Sequence, residues 1–145
     1  TLGYKYADAL DLNFNDESGK RQKVFMGSYG IGPSRVMGVI AEMLSDDKGL
    51  VWPEEIAPYK YYLVGLREEG NKKAAELHDK APELVFFDDR DARAGEKFAD
   101  AELMGMPYRV VISDKTLANN QVEIMNRKTG ETKLLTLDEF EHKLV

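Results

Sequence analysis

The chain has 145 residues, 43% of them hydrophobic, enough for a sizeable core and near the usual size of one domain. It has no Cys, no apolar run long enough to span a membrane and no signal-peptide pattern, which argues against a disulfide framework or a membrane anchor and fits a cytoplasmic protein. A net charge of −6 and a pI near 5.0 are the opposite of a broad basic footprint, so any RNA contact has to be local, through stacked bases and base edges.

Leu12 to Phe14 and Lys23 to Ser28 are short extended candidates joined by the turn formers Asn15-Asp16-Glu17-Ser18-Gly19-Lys20, which predicts a hairpin. Its second strand runs into Met26-Gly27-Ser28-Tyr29-Gly30-Ile31-Gly32-Pro33-Ser34-Arg35. Glycines there let a backbone bend or a flat ligand approach, and Arg35 in a first helical turn offers a planar cation that can stack on a purine or pair with phosphate. A tight strand-to-helix turn asks for the same residues without any ligand. Val36, Val39, Ile40, Met43 and Leu44 then follow helical spacing, and this helix is expected to pack one face on the hairpin.

Polar Ser45 to Gly49 gives way to Leu50-Val51-Trp52-Pro53 and then Pro58, which predicts a boundary with a new domain starting near Ile56. Tyr61 to Leu66 reads as a buried strand, Asn71 to Lys80 as a helix, Leu84 to Phe87 as a strand and Arg93 to Met104 as a helix. Arg109 to Ser113 is a strand rich in Val and Ile, and Gln121 to Arg127 with Lys133 to Thr136 form a closing hairpin around Lys128-Thr129-Gly130. Thr136 followed by Glu139 is a capping-box pattern for a terminal helix carrying Leu137, Phe140 and Leu144. The fold class is α/β, with a mixed sheet of about five strands and flanking helices, because β-α-β crossovers favour parallel pairing and the closing hairpin is antiparallel.

A second candidate site combines Phe87 and Asp88-Asp89-Arg90 at a strand end with Arg93, Lys97 and Phe98 at the start of the next helix. Open α/β sheets bind ligands at that edge, where aromatic faces can stack bases and charged groups can read base edges. Asp89 can equally cap the helix, with Arg93 as its salt-bridge partner. His78 and His142 stand alone among charged residues, and no spacing of Cys or His suits a metal.

Leu2 to Leu10, Asp16 to Lys20, Met26 to Arg35 and Trp52-Pro53-Glu54-Glu55-Ile56-Ala57-Pro58 together resemble bacterial-type prolyl-tRNA synthetase, and Asp88 to Arg109 resembles the signature of the class IIa anticodon-binding domain. The resemblance covers essentially the whole chain, with both signatures in the family's order. It implies that residues 1–50 are the end of a class II antiparallel-sheet catalytic core containing motif 3, that Thr1 is an incomplete start, and that residues 51–145 are the anticodon-binding domain with the linker that leads into it. Gly30, Gly32 and Arg35 would bind ATP. Ser28 would lie beside the amino-acid pocket, where the family often has Cys. Phe87, Asp89, Arg90, Arg93, Lys97 and Phe98 would contact the anticodon.

The resemblance further implies a parent enzyme that activates proline with ATP and Mg2+, transfers it to tRNA(Pro), works as a homodimer in the cytoplasm and holds no organic cofactor. This stretch supplies no catalytic residue, no protein-held metal and no membrane contact, and is expected to be inactive alone. Two other readings are a threonyl, histidyl or glycyl enzyme of the same class, against which Trp52 to Pro58 speaks, and a non-catalytic tRNA-binding accessory protein. An intact Gly30-Ile31-Gly32 with Arg35 speaks against the latter.

Overall fold

A computed structural model describes residues 1–145, which form two compact units, Thr1–Val36 and Met37–Val145. The first contains α1 (Lys5–Ala9), β1 (Asn13–Asn15) and β2 (Arg21–Lys23), followed by the start of α2 (Pro33–Leu44). The predicted hairpin forms, with Asn13 opposite Lys23 and Asn15 opposite Arg21. The Asp16 carboxylate closes its turn by accepting from the backbone of Ser18 and Lys20, both at 3.0 Å.

One expectation for this unit needs correction. The strand expected over Lys23 to Ser28 stops at Lys23, because β1 offers no partner beyond that point and Met26 bridges Gly3 instead. Lys5 to Ala9 is a helical turn, and its Ala7 is the one buried residue of the unit. No residue of α2 is buried, and Val36, Met37, Val39, Met43 and Leu44 are exposed.

The second unit is a five-stranded sheet in the order β4 (Val85–Phe87), β3 (Tyr61–Gly65), β5 (Tyr108–Ile112), β6 (Gln121–Asn126), β7 (Thr132–Thr136). β3 is parallel to β4 and to β5, and β6 pairs antiparallel with β7, as the sequence predicted; β5 and β6 also pair antiparallel. Central β3 is buried along its whole length, and its alternation sorts two cores. Tyr61 and Leu63 join Ala74 and Leu77 of α3 (Arg67–Lys80) and Phe140 of α6 (Leu137–Glu141) on one face. Tyr62 and Val64 join Phe98 and Ala101 of α4 (Ala94–Met104) on the other. Each large apolar side chain so buried contributes about 1.5–3 kcal/mol before the entropy of ordering it is subtracted.

α3 begins at Arg67, ahead of the expected Asn71, and Glu68 and Glu69 in its first turn suit the positive end of the helix dipole. An unforeseen short helix, α5 (Asp114–Leu117), follows β5 because Ser113 and Thr116 form a reciprocal capping box. The capping box of Thr136 and Glu139 forms as predicted.

The segment leading into the sheet is fastened to it. Arg127, just after β6, is 7% exposed and makes a bidentate pair with Asp46, while its Nε donates to the carbonyl of Glu102 at 3.0 Å. Leu50 and Trp52 donate their backbone N–H groups to the carbonyls of Leu103 and Gly105, at 3.1 and 3.0 Å. Gly105 ends α4 in the left-handed region, φ 70°, where an added Cβ would overlap the carbonyl of Leu50.

Candidate functional site

β3 and β4 end side by side, and their chains then leave to opposite faces, β3 into α3 and β4 into α4. Between them lies a crevice of about 310 Å³, lined by Gly65, Arg67 and Asn71 on one side and Arg90, Asp91 and Lys97 on the other. The carboxyl edge of parallel strands at such a divergence is where open α/β sheets take ligands. Gly65 is required there, since a Cβ would stand 2.5 Å from Cα of Asn71.

The floor of the crevice is a buried polar network. Asp88, 3% exposed, accepts from the Tyr62 hydroxyl at 2.8 Å and from Arg90 Nε and Nη2 at 2.9 and 2.8 Å. The Arg90 hydrogen bonds outweigh desolvation and hold the Asp88 carboxyl down at about 2, and burial together with the Asp88 hydrogen bond pushes the Tyr62 phenol up. Arg90 also holds Asp100 at 2.6 Å. Lys97 is 2% exposed and donates from Nζ to the Asp88 carbonyl at 2.8 Å. Its ammonium therefore acts inside the scaffold rather than as a surface cation.

The rim is the loop between β4 and α4, whose Asp91 and Ala92 line the crevice. Asp89 and Arg93 are exposed, and Arg93 is the N-cap residue of α4 without a side-chain cap bond, so Asp89 is not the helix cap that the sequence also allowed. Phe87 and Phe98 are half-buried on opposite faces, Phe87 with the α3 core and Phe98 with the α4 core. The sequence candidates thus divide into Asp89 and Arg93 on the rim, Arg90 and Lys97 in the floor network, and two aromatic rings that do not meet. Arg67, Asn71 and Tyr62 are additions that β-α-β order alone does not single out. A glycine closing β3 ahead of a helical Asn is the one sequence signal that bears on Asn71.

In the first unit, Ser28, Gly30, Gly32 and Arg35 all lie exposed on one irregular segment and the first turn of α2. An added Cβ at Gly30 would meet nothing within 4 Å, and at Gly32 only the Cβ of Arg35 at 3.7 Å. Neither glycine is needed for packing inside this chain.

A crevice at a strand divergence, lined by Arg67, Arg90 and Lys97, goes with a known kind of domain: residues 60–145 match the model of the anticodon binding domain, and the chain belongs to that family. Its relatives are more specific. Proline–tRNA ligases of Persephonella marina and Desulfitobacterium hafniense are 41% and 44% identical to it, over 99% and 96% of this chain and 26% and 25% of their own lengths. That of Wolbachia pipientis is 37% identical over 95% of this chain and 33% of its own. The chain thus spans about a quarter to a third of the relatives it matches. Among solved structures, the prolyl-tRNA synthetase of Cryptosporidium parvum, complexed with L-proline and AMP, is 26% identical with a TM-score of 0.78, over 99% of this chain and 32% of its own. The resemblance, the α/β class and the mixed sheet read from the sequence are borne out.

Proposed function

We propose that this chain is the C-terminal part of a proline–tRNA ligase, which joins proline to tRNA(Pro) at the expense of ATP. Its residues 51–145 serve as the anticodon-binding domain and residues 1–50 as the end of the catalytic core. The observation that carries this reading is the identity of 37–44% to proline–tRNA ligases across nearly the whole chain, both units included.

In this reading Arg35 lies against the adenine or the triphosphate of ATP, and Gly30 and Gly32 let the nucleotide approach the backbone, with Ser28 beside the proline pocket. A guanidinium fixed in the first turn of a helix can both stack on a purine and stabilise an anionic tail. Asp89 and Arg93 read the anticodon from the crevice rim, while Arg90, Lys97, Phe87 and Phe98 shape what they read. The chain has no group of three or more His, Asp or Glu side chains placed to hold a metal, so Mg2+ arrives with the triphosphate. The working enzyme is a cytoplasmic homodimer, and no helix of this chain is long and apolar enough to cross a membrane.

The test is proline-dependent ATP–pyrophosphate exchange in the complete ligase. Arg35→Ala should cut exchange by two orders of magnitude or more, equivalent to about 3 kcal/mol, with unchanged thermal unfolding. Exchange driven by another amino acid, or near-normal exchange in that variant, would remove the reading.

A further inference from the structure

One half-buried cation in the second unit has no counter-charge. Arg109 lies on β5 in register with Tyr62 of β3 and Met125 of β6, on the sheet face that α4 covers. Its guanidinium carbon stands 4.4 Å from the centroid of the Phe98 ring. Its Nε is buried without a hydrogen-bond partner. The half-exposed Arg90 and the buried Arg127 each have a carboxylate at 2.6–2.8 Å, whereas Arg109 has none.

Such an arrangement sacrifices hydration without recovering it from the protein, unless the missing acceptors come from a ligand. Phe98 limits the orientation of the guanidinium by attracting it to the ring face. With Nε hidden, the two terminal nitrogens are the donors left free, and together they match a pair of acceptors on one group. RNA offers two such pairs: the non-bridging oxygens of a phosphodiester and the O6/N7 edge of guanine. The location fits, since Arg109 is in register with Tyr62, whose hydroxyl donates to Asp88, and lies on the same α4 side of the sheet.

We propose that Arg109, seated on Phe98, is a further RNA contact that takes the paired acceptors of one anticodon-loop nucleotide, extending the site from the β3/β4 crevice onto the α4 face of β5. The inference rests on the reading that this domain binds tRNA.

The experiment titrates a fluorescently labelled anticodon stem-loop of tRNA(Pro) against the unaltered 145-residue chain and its Arg109→Met, Arg109→Lys and Arg93→Ala variants, with the unfolding midpoint of each measured in parallel. Arg109→Met should weaken binding about tenfold with an unchanged midpoint, and Arg109→Lys, which keeps the charge but not the donor pair, should recover part of the loss. If the acceptors are phosphate oxygens, Arg109→Met lowers the salt slope by about one and weakens every stem-loop alike. If they belong to a guanine, the slope holds and the penalty vanishes once that base is replaced. Unchanged affinity in Arg109→Met beside weakened Arg93→Ala overturns the inference and leaves the tRNA reading standing. A lowered midpoint that accounts for the lost affinity also overturns it, and a parent chain that does not bind the stem-loop removes both.

Discussion

Arg127 grips Asp46 with two parallel hydrogen bonds, 2.7 Å from Nη1 to Oδ2 and 2.6 Å from Nη2 to Oδ1, across 81 positions of sequence. The same carboxylate accepts from the backbone of Lys48 and Gly49, and these bonds with the Arg127 pair hold its pKa well below the usual carboxylate range. Arg127→Ala should lower unfolding stability by about 2 kcal/mol, because it removes a buried side chain and leaves the Glu102 carbonyl without that donor. Asp46→Asn should cost less, since an amide can keep part of the turn. Urea unfolding of the two variants and their combination checks this: the double variant should be no less stable than Arg127→Ala, and full additivity would dissolve the pair as a unit.

The same fastening moves the useful cut for an isolated domain. A chain beginning at Ile56 should fold, because both cores lie beyond it, yet it loses Asp46 and the backbone donors of Leu50 and Trp52. A chain beginning at Met37 keeps them and should show the higher unfolding midpoint. Equal midpoints would mean that the segment from 46 to 52 contributes nothing.

Asp88 gives a prediction in pH. Its folded-state pKa lies near 2, below the ordinary 3.8, so the stability it contributes is complete above about pH 4 and is lost as pH falls towards 2. Asp88→Asn lacks that contribution at every pH. The stability gap between parent and variant should therefore be widest at about pH 5 and narrow on acidification, and a gap that stays constant across that range contradicts the assignment.

Floor and rim should separate by phenotype. Lys97→Ala removes a fully buried side chain and the Asp88 carbonyl's donor, so it should cost about 2–4 kcal/mol of stability, read from denaturant midpoints. Arg93→Ala and Asp89→Ala touch exposed groups and should stay within about 0.5 kcal/mol of the parent in stability while weakening tRNA binding. Lys97→Ala with normal stability and lost binding would instead make that ammonium a direct contact.

Tyr61 to Leu66, Arg109 to Ser113 and the Thr136 capping box were legible because each carries a strong local pattern that tertiary packing reinforces. The strand expected over Lys23 to Ser28 failed for the opposite reason: past Lys23 its apolar run finds only isolated backbone bonds, Val24 to Leu12 and Met26 to Gly3, and no strand to pair with. Helices α1 and α5 are too short for periodicity to announce them. At the site, the order of strands and helices was enough to place Asp88 to Phe98 at a sheet edge. It could not show that Lys97 turns inward, since lysines are rarely buried, nor that Phe87 and Phe98 part company across a sheet whose faces alternate. Pairing of Asp46 with Arg127 leaves no local trace at all.

Both cores close without any help from Asp89 or Arg93, and the network of Tyr62, Asp88, Arg90 and Lys97 is satisfied before any ligand arrives. Substitutions at Asp89 and Arg93 therefore carry little risk to folding, whereas a change in the floor threatens the fold itself. A domain so divided is suited to divergence: the part free to vary hangs on one loop between β4 and α4, and the part that must not vary lies in the network packed behind it.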